Sequence, residues 1–184
     1  MKVMIIAPYI YDDKIAAFTK NKTGFGIMVQ SIVSSVAELE DVVLLTRVIT
    51  EGKNEKNYRI LSHTWRQFFS GAKLKDWLTG IKAFFSNRAA VKDRVRHVFY
   101  EVDGGYVRKQ IQIEKPDIVH IHGIGTITES YIRICEEVKA QYTVTLHGLI
   151  GLNESISVPA YEKQIERDFL IKAEKNNIPI SVIS

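Results

Sequence analysis

Cys135 is the single cysteine in 184 residues. No disulfide can therefore form within the chain, and the sequence suits a reducing, cytoplasmic setting. The segment around Cys135 has helical period, where a small buried thiol is the ordinary reading. Long apolar runs are lacking too. The longest stretch free of charged residues spans 23–37 and carries Gln30 and three serines. It falls short of the ~20 apolar residues of a spanning helix. The opening MKVMIIAPYIYDD does not read as a secretory leader, because its apolar run is short, Pro8 interrupts it and two aspartates follow. Low-complexity tracts and internal repeats are missing, which excludes solenoids and arrays. A Walker P-loop is missing as well, and no Ser-His-Asp set stands out.

The remaining composition is that of a globular domain, with 46% apolar and 25% charged residues. A chain of this length can bury roughly 70% of its unfolded surface, enough for one domain over residues 1–184. The net charge of +4 is unevenly spread. Residues 58–100 hold nine Lys/Arg against two Asp, so this segment is +7 and the rest is −3. Such asymmetry points to an anionic partner for one region only.

Along the chain, apolar runs alternate with segments of helical period. Residues 2–7 read as a buried strand ending at Pro8. A polar loop follows, and Gly24 and Gly26 open a helix with Met28, Val29, Ile32, Val33, Val36 and Leu39 on one face. Residues 41–49 read as a second strand. The basic segment then offers two or three helical pieces. In one, Leu74, Trp77, Leu78, Ile81, Phe84 and Phe85 share a face, with Lys73, Lys75 and Lys82 away from it; the Ser-Asn pair at 86–87 breaks the pattern. A helix over about 91–114 stops at Pro116. Strand 117–121 follows, then a helix capped by Thr126 or Thr128 that runs to about 140. Strand 142–146, a helix over about 161–176 and a last strand at 180–184 complete the chain. This alternation predicts a Rossmann-like three-layer α/β/α sandwich with a mainly parallel sheet.

In such sheets ligands bind beyond the carboxyl ends of the strands. Two strands end there in His-Gly: PDIVHIHG at 116–123 and YTVTLHG at 142–148. His120 and His122 point to the same side of their strand. His122 lies at the crevice end and His120 one pleat deeper, so His120 reads as core and His122 as cleft. His147 ends the other strand. Gly123 and Gly148 let the backbone turn sharply or approach a ligand closely. Neutral imidazole can donate to or accept from a sugar hydroxyl, and its cation can meet a phosphate. Gly24 and Gly26 sit at a helix N-terminus, where free N–H groups and the dipole favour phosphate. GFGIMV does not meet the dinucleotide fingerprint, lacking its third small residue. His120, His122 and His147 could also be zinc ligands, but no carboxylate stands beside them, since Asp117 is at the far end of its strand.

MKVMIIAP, TGFGIMVQSIVSSVAE, PDIVHIHG, TVTLHG and the closing ERDFLIKAEKNNIPISVIS, in this order and spacing, resemble the N-terminal, acceptor-side domain of a GT-B glycosyltransferase of the retaining family four, group 1 type. The resemblance covers nearly the whole chain. It implies the N-terminal half of a two-domain fold, with the nucleotide-sugar-binding C-terminal domain beyond Ser184. It further implies that Gly24 and Gly26 approach the donor diphosphate and that His147 is the catalytic contact near the reacting carbon. His122, Gly123 and Gly148 would line the acceptor side, and Glu166 matches a recurrent acidic position. The implied reaction moves a sugar from a nucleotide-sugar donor to a glycan or lipid-linked acceptor in cell-surface polysaccharide synthesis. It needs no essential cofactor or metal, and these residues alone would not perform transfer.

The basic segment has two readings: a core helix with a solvated basic face, or a dock for an anionic membrane surface or lipid acceptor through Lys73, Lys75, Trp77, Lys82, Phe84 and Phe85. The second places the protein peripherally at the inner face of the membrane. Three rivals to the transferase stand. One is a stand-alone, flavodoxin-like ligand-binding or regulatory module. Another is a metal-dependent hydrolase. The third, nucleic-acid binding, is disfavoured because the aromatics fall at helical spacing rather than as a stacking platform.

Overall fold

Successive chain segments enter a single seven-stranded sheet. The computed structural model describes residues 1–54, 57–86, 89–149, 151 and 158–183. Its strands are β1 (Lys2–Ala7), β2 (Asp41–Thr46), β3 (Lys53–Asn54), β4 (Tyr58–Ile60), β5 (Ile118–His122), β6 (Tyr142–Leu146) and β7 (Ile180–Val182). Its helices are α1 (Gly24–Ala37), α2 (Trp65–Phe68), α3 (Leu74–Ser86), α4 (Val91–Glu114), α5 (Thr126–Val138) and α6 (Ala160–Asn176), with a 3₁₀ turn at Thr19–Asn21. The sheet order is β3-β4-β2-β1-β5-β6-β7, and every pairing is parallel except β3 with β4. The fold is thus a Rossmann-like α/β/α sandwich with a mainly parallel sheet.

Two apolar cores flank the sheet. On one face Val3, Ile5, Val42 and Leu44 pack with Val29 and Val33 of α1 and with Ile10, Ile15 and Phe18 of the loop before it. On the other, Met4, Ile6, Val119, Ile121 and Val144 meet Val107 and Ile111 of α4, Tyr131 and Cys135 of α5, and Phe169 of α6. Burial pushes the Cys135 thiol up to about 12, so it stays protonated and acts as core. After β1 the chain moves outward through β2; from β5 it moves outward the other way. The order therefore reverses between β1 and β5, and a crevice opens beyond their carboxyl ends.

Several elements differ from the sequence reading. The second strand stops at Thr46, and β3 and β4 add an edge that was not foreseen. At two and three residues they are too short to show periodicity. Leu39 lies beyond α1 and is exposed. Neither Thr126 nor Thr128 caps α5. The N-cap is Gly125, and Glu162 of α6 accepts from Thr126 N at 3.0 Å and from the Thr126 hydroxyl. The last strand ends at Val182, and Asn87 and Ser184 fall outside the described residues.

The largest difference lies in α3, where the core-helix reading is overturned. Its apolar face points outward, and its buried residues are Asp76 and Gly80. The backbone of α4 comes so near that a Cβ on Gly80 would lie 2.9 Å from Val98 Cα, and one on Gly105 would lie 2.6 Å from Ala72 Cα. Bulky side chains cannot enter that contact, so they stay on the other side. Asp76 is held there by Arg108, whose Nη2 and Nη1 donate at 2.6 and 3.0 Å. Arg108 Nε also donates to Glu137 of α5 at 2.9 Å. Burial draws the Asp76 carboxyl upward, but hydrogen bonds from Arg108 and from Lys73 N outweigh it and hold the group below its usual range.

Candidate functional site

A cavity of about 380 Å³ occupies the crevice where the strand order reverses. Pro8 and Tyr9 follow β1, and Gly123, Ile124 and Gly125 follow β5. His147 and Gly148 follow β6. Phe25 of α1, Ile127 and Thr128 of α5 and Glu166 of α6 complete the lining. The strand-end rule thus gathers residues that lie far apart in sequence.

Both glycines after the histidines have positive φ, +80° at Gly123 and +93° at Gly148, a conformation that side chains rarely adopt. Each turn frees the chain just as the strand ends. The Gly123 N–H is retained by the Thr145 carbonyl at 2.8 Å.

The three histidines form one cluster. His122 Nδ1 and His147 Nε2 are 3.0 Å apart and share a proton in a hydrogen bond. His120 Nε2 meets the Thr145 hydroxyl at 2.6 Å, and the His120 and His122 rings lie 4.3 Å apart. Phe25 packs on His147 at 4.4 Å between ring centroids, and Tyr9 packs on Phe25 at 4.8 Å. The depths of His120 and His122 are the reverse of those expected from strand position. His122 is fully buried and His120 half-buried. The cause is tertiary: the His147 ring packs on His122, with centroids 5.2 Å apart, and Phe25 packs in turn on His147. His122 therefore stands behind His147 rather than in the cavity wall.

Burial first, then the neighbouring histidines, pushes His122 down to about 3; burial and His147 push His120 down to about 4. Burial also lowers His147. All three are neutral at pH 7, so the cluster offers hydrogen bonds and a lone pair rather than positive charge. His122 Nε2 and His147 Nδ1 are buried with no hydrogen-bond partner among the described residues. Among the described residues, no group of three or more His, Cys, Asp or Glu side chains is placed to hold a metal ion.

At the start of α1, Thr23 caps the helix by accepting from Gly26 N at 3.0 Å. Gly26 is buried, its carbonyl accepts from Tyr11 N at 3.1 Å, and a Cβ on it would lie 2.4 Å from the Asn21 carbonyl oxygen. Its need for glycine is thus close backbone packing. Gly24 is exposed, and its N–H and that of Phe25 have no partner among the described residues.

Tyr9 and Phe25 were not singled out by sequence reasoning, because an aromatic in a loop or first helical turn gives no signal of what it faces. Glu166 was noted without a role; it is buried and accepts from Gly151 N at 2.8 Å. A second buried set was also missed. His63 Nδ1 donates to the Thr46 carbonyl at 2.6 Å, its Nε2 faces Asp103 Oδ1 at 3.1 Å, and Tyr131 donates to Asp103 Oδ2 at 2.6 Å. These contacts bind the end of β2 to α4 and α5. Lys73, Lys75, Trp77, Lys82 and Phe85 are exposed on α3 and just before it, and Phe84 is half-buried under the Arg94 guanidinium at 4.8 Å. These residues lie apart from the cavity lining.

No family model and no curated protein matches the chain. Among solved structures it is similar to the UDP-GlcNAc 2-epimerase of Neisseria meningitidis, with 12% identity and a TM-score of 0.46, covering 99% of this chain and 46% of that one. It is also similar to a glycosyltransferase of Streptomyces sp. SF2575 (10%, 0.40, covering 97% and 47%). For the UDP-GlcNAc 2-epimerase of Methanocaldococcus jannaschii the values are 12% and 0.40, covering 98% and 45%. The chain spans less than half the length of each of these proteins.

Proposed function

We propose that this chain is the acceptor-side, N-terminal half of a GT-B glycosyltransferase, which moves a sugar from a nucleotide-sugar donor to a glycan or lipid-linked acceptor at the cytoplasmic face of the membrane. The observation that carries this reading is the cavity at the strand-order reversal, walled by His147, two positive-φ glycines and the Tyr9–Phe25 pair. Neutral imidazole can pair with hydroxyl groups, and aromatic rings can lie along the apolar faces of a sugar; a few placed polar groups in an apolar cavity is the usual build of a ligand site.

In the proposed reaction, cleavage at the anomeric carbon builds negative charge on the leaving diphosphate. The N–H groups of Gly24 and Phe25, at the positive end of α1, would stabilise it, while Gly26 lets the turn close against its loop. His147 would hold the sugar beside the reacting carbon, and His122 would set the orientation of His147 from behind. A facing donor domain would exclude water. By itself the chain would hold acceptor and perform no transfer.

Nitrogen-15 NMR of the histidine rings tests this. A polyprenyl-diphosphate saccharide should shift the His147 and His122 signals, and His147→Ala should abolish binding while leaving far-UV circular dichroism unchanged. If neither acceptor nor nucleotide-sugar moves these signals, the reading fails. Transfer by the chain alone would show that it is not merely half a site. The rival of a self-sufficient binding module draws on the cavity being walled by this chain alone. It predicts tight binding of a small ligand with no second domain.

A further inference from the structure

The outward face of α2 and α3 is apolar where solvent should meet polar residues. Leu74, Leu78, Ile81 and Phe85 of α3 are exposed, Phe85 to 77% and Leu74 to 75%. Trp77 joins them and stacks parallel to Phe69 at 6.3 Å, while Trp65 at the start of α2 is 68% exposed. The tight contact with α4 leaves these side chains no inward alternative. Exposed apolar patches of this kind, rimmed by polar residues, mark interaction sites.

The rim is basic. Lys73, Lys82 and Arg66 are exposed beside the patch, within the segment that carries +7. A protein partner can offer either charge, but large aromatics flanked by lysine and arginine match an anionic lipid interface: the rings enter the headgroup layer and the cations meet its phosphates. Position agrees with this. At 24 residues α4 is ~36 Å long, against ~20 Å for a six-residue strand. The C-terminus of α4 lies at the start of β1, where Glu114 meets Lys2 Nζ at 2.7 Å. Its N-terminal half therefore stands beyond the carboxyl edge of the sheet, the edge that carries His147. There α3 packs on it, through Gly80 at Val98 and Phe84 at Arg94.

We propose that this face of α2 and α3 is the surface by which the protein docks on an anionic bilayer. It deepens the membrane-side placement given above, yet it rests on its own residues and not on the histidine cluster. Both tryptophans of the chain, Trp65 and Trp77, lie on the face, so intrinsic fluorescence reports on it directly.

The test adds vesicles of phosphatidylcholine, with or without phosphatidylglycerol, to the whole chain. Tryptophan emission should move to the blue and the protein should sediment with the anionic vesicles only, less so at high salt. Trp77→Ala with Phe85→Ala should weaken binding at least about tenfold, since two exposed aromatics lose their burial in lipid. Lys73→Glu with Lys82→Glu should remove the preference for anionic vesicles. These side chains are exposed, and circular dichroism would verify that the variants fold. Failure to bind anionic vesicles at low salt overturns the proposal. So does a dimer in gel filtration that Trp77→Ala with Phe85→Ala dissociates, because the occupant is then a second copy. No sugar is present in this assay, so its failure and that of the transferase reading are separable.

Discussion

His122 and His147 show what strand position reveals about a residue and what it hides. The His-Gly endings were legible because both side-chain alternation and the reach of a strand are fixed. The depth of His122 was not legible, since His147 packs on it and Phe25 packs on His147, and neither contact has a local signal. The burial of His120 and His122 has a measurable consequence. Their native values of about 4 and about 3 lie below the unfolded value near 6.5, so the unfolded chain binds more protons in between. Their neutral forms support the fold fully above about pH 6.5, and that support is lost as pH falls toward 4 and 3. Urea midpoints should therefore drop from pH 6.5 to 4. Each histidine contributes up to about 1.4 kcal/mol per pH unit in that window. His120→Gln with His122→Gln should flatten this slope; an unchanged slope would mean that the cluster is not the source.

At the scale of elements, α4 was readable almost to the residue, since Pro116 forbids its continuation and Lys115 ends it in the left-handed conformation. The helix α3 was readable as a helix but not in its facing. Hydrophobic periodicity says which residues share a side, and the usual inference turns that side inward. Here close approach through Gly80 and Gly105, and the pairing of Asp76 with Arg108 across 32 residues of chain, reverse it. Asp76→Ala should cost about 3 kcal/mol in urea denaturation, because it strips a buried guanidinium of its main partner. Limited proteolysis should then cut first near the ends of α3. Stability within error of the parent would show that Glu137 alone suffices for Arg108.

For the molecule as a whole, alternating strands and helices made the layered architecture legible, and the strand-end rule located the crevice in principle. The strand order could not be read, because pairing between β1 and β5 joins segments more than a hundred residues apart. The edge formed by β3 and β4 was the other blind spot: β3 has two residues and β4 three. Hydrogen exchange should reflect this layout. Amides of β1 and β5 are bonded on both sides and lie in the core, so they should be the slowest, while β3 and β7 exchange near the rate of open chain. Protection of β7 equal to that of β1 would contradict this ranking.

One proton joins His122 to His147, and that single proton imposes a rule of opposites. When His147 Nε2 carries it, His147 Nδ1 is a bare lone pair and His122 Nε2 bears a hydrogen; when His122 Nδ1 carries it, both assignments invert. Any group that meets His147 Nδ1 therefore also chooses the polarity of His122 Nε2, deep beneath it. Each inversion takes up a proton at one outer nitrogen and releases one from the other, so both rings stay neutral while a proton is relayed through the pair.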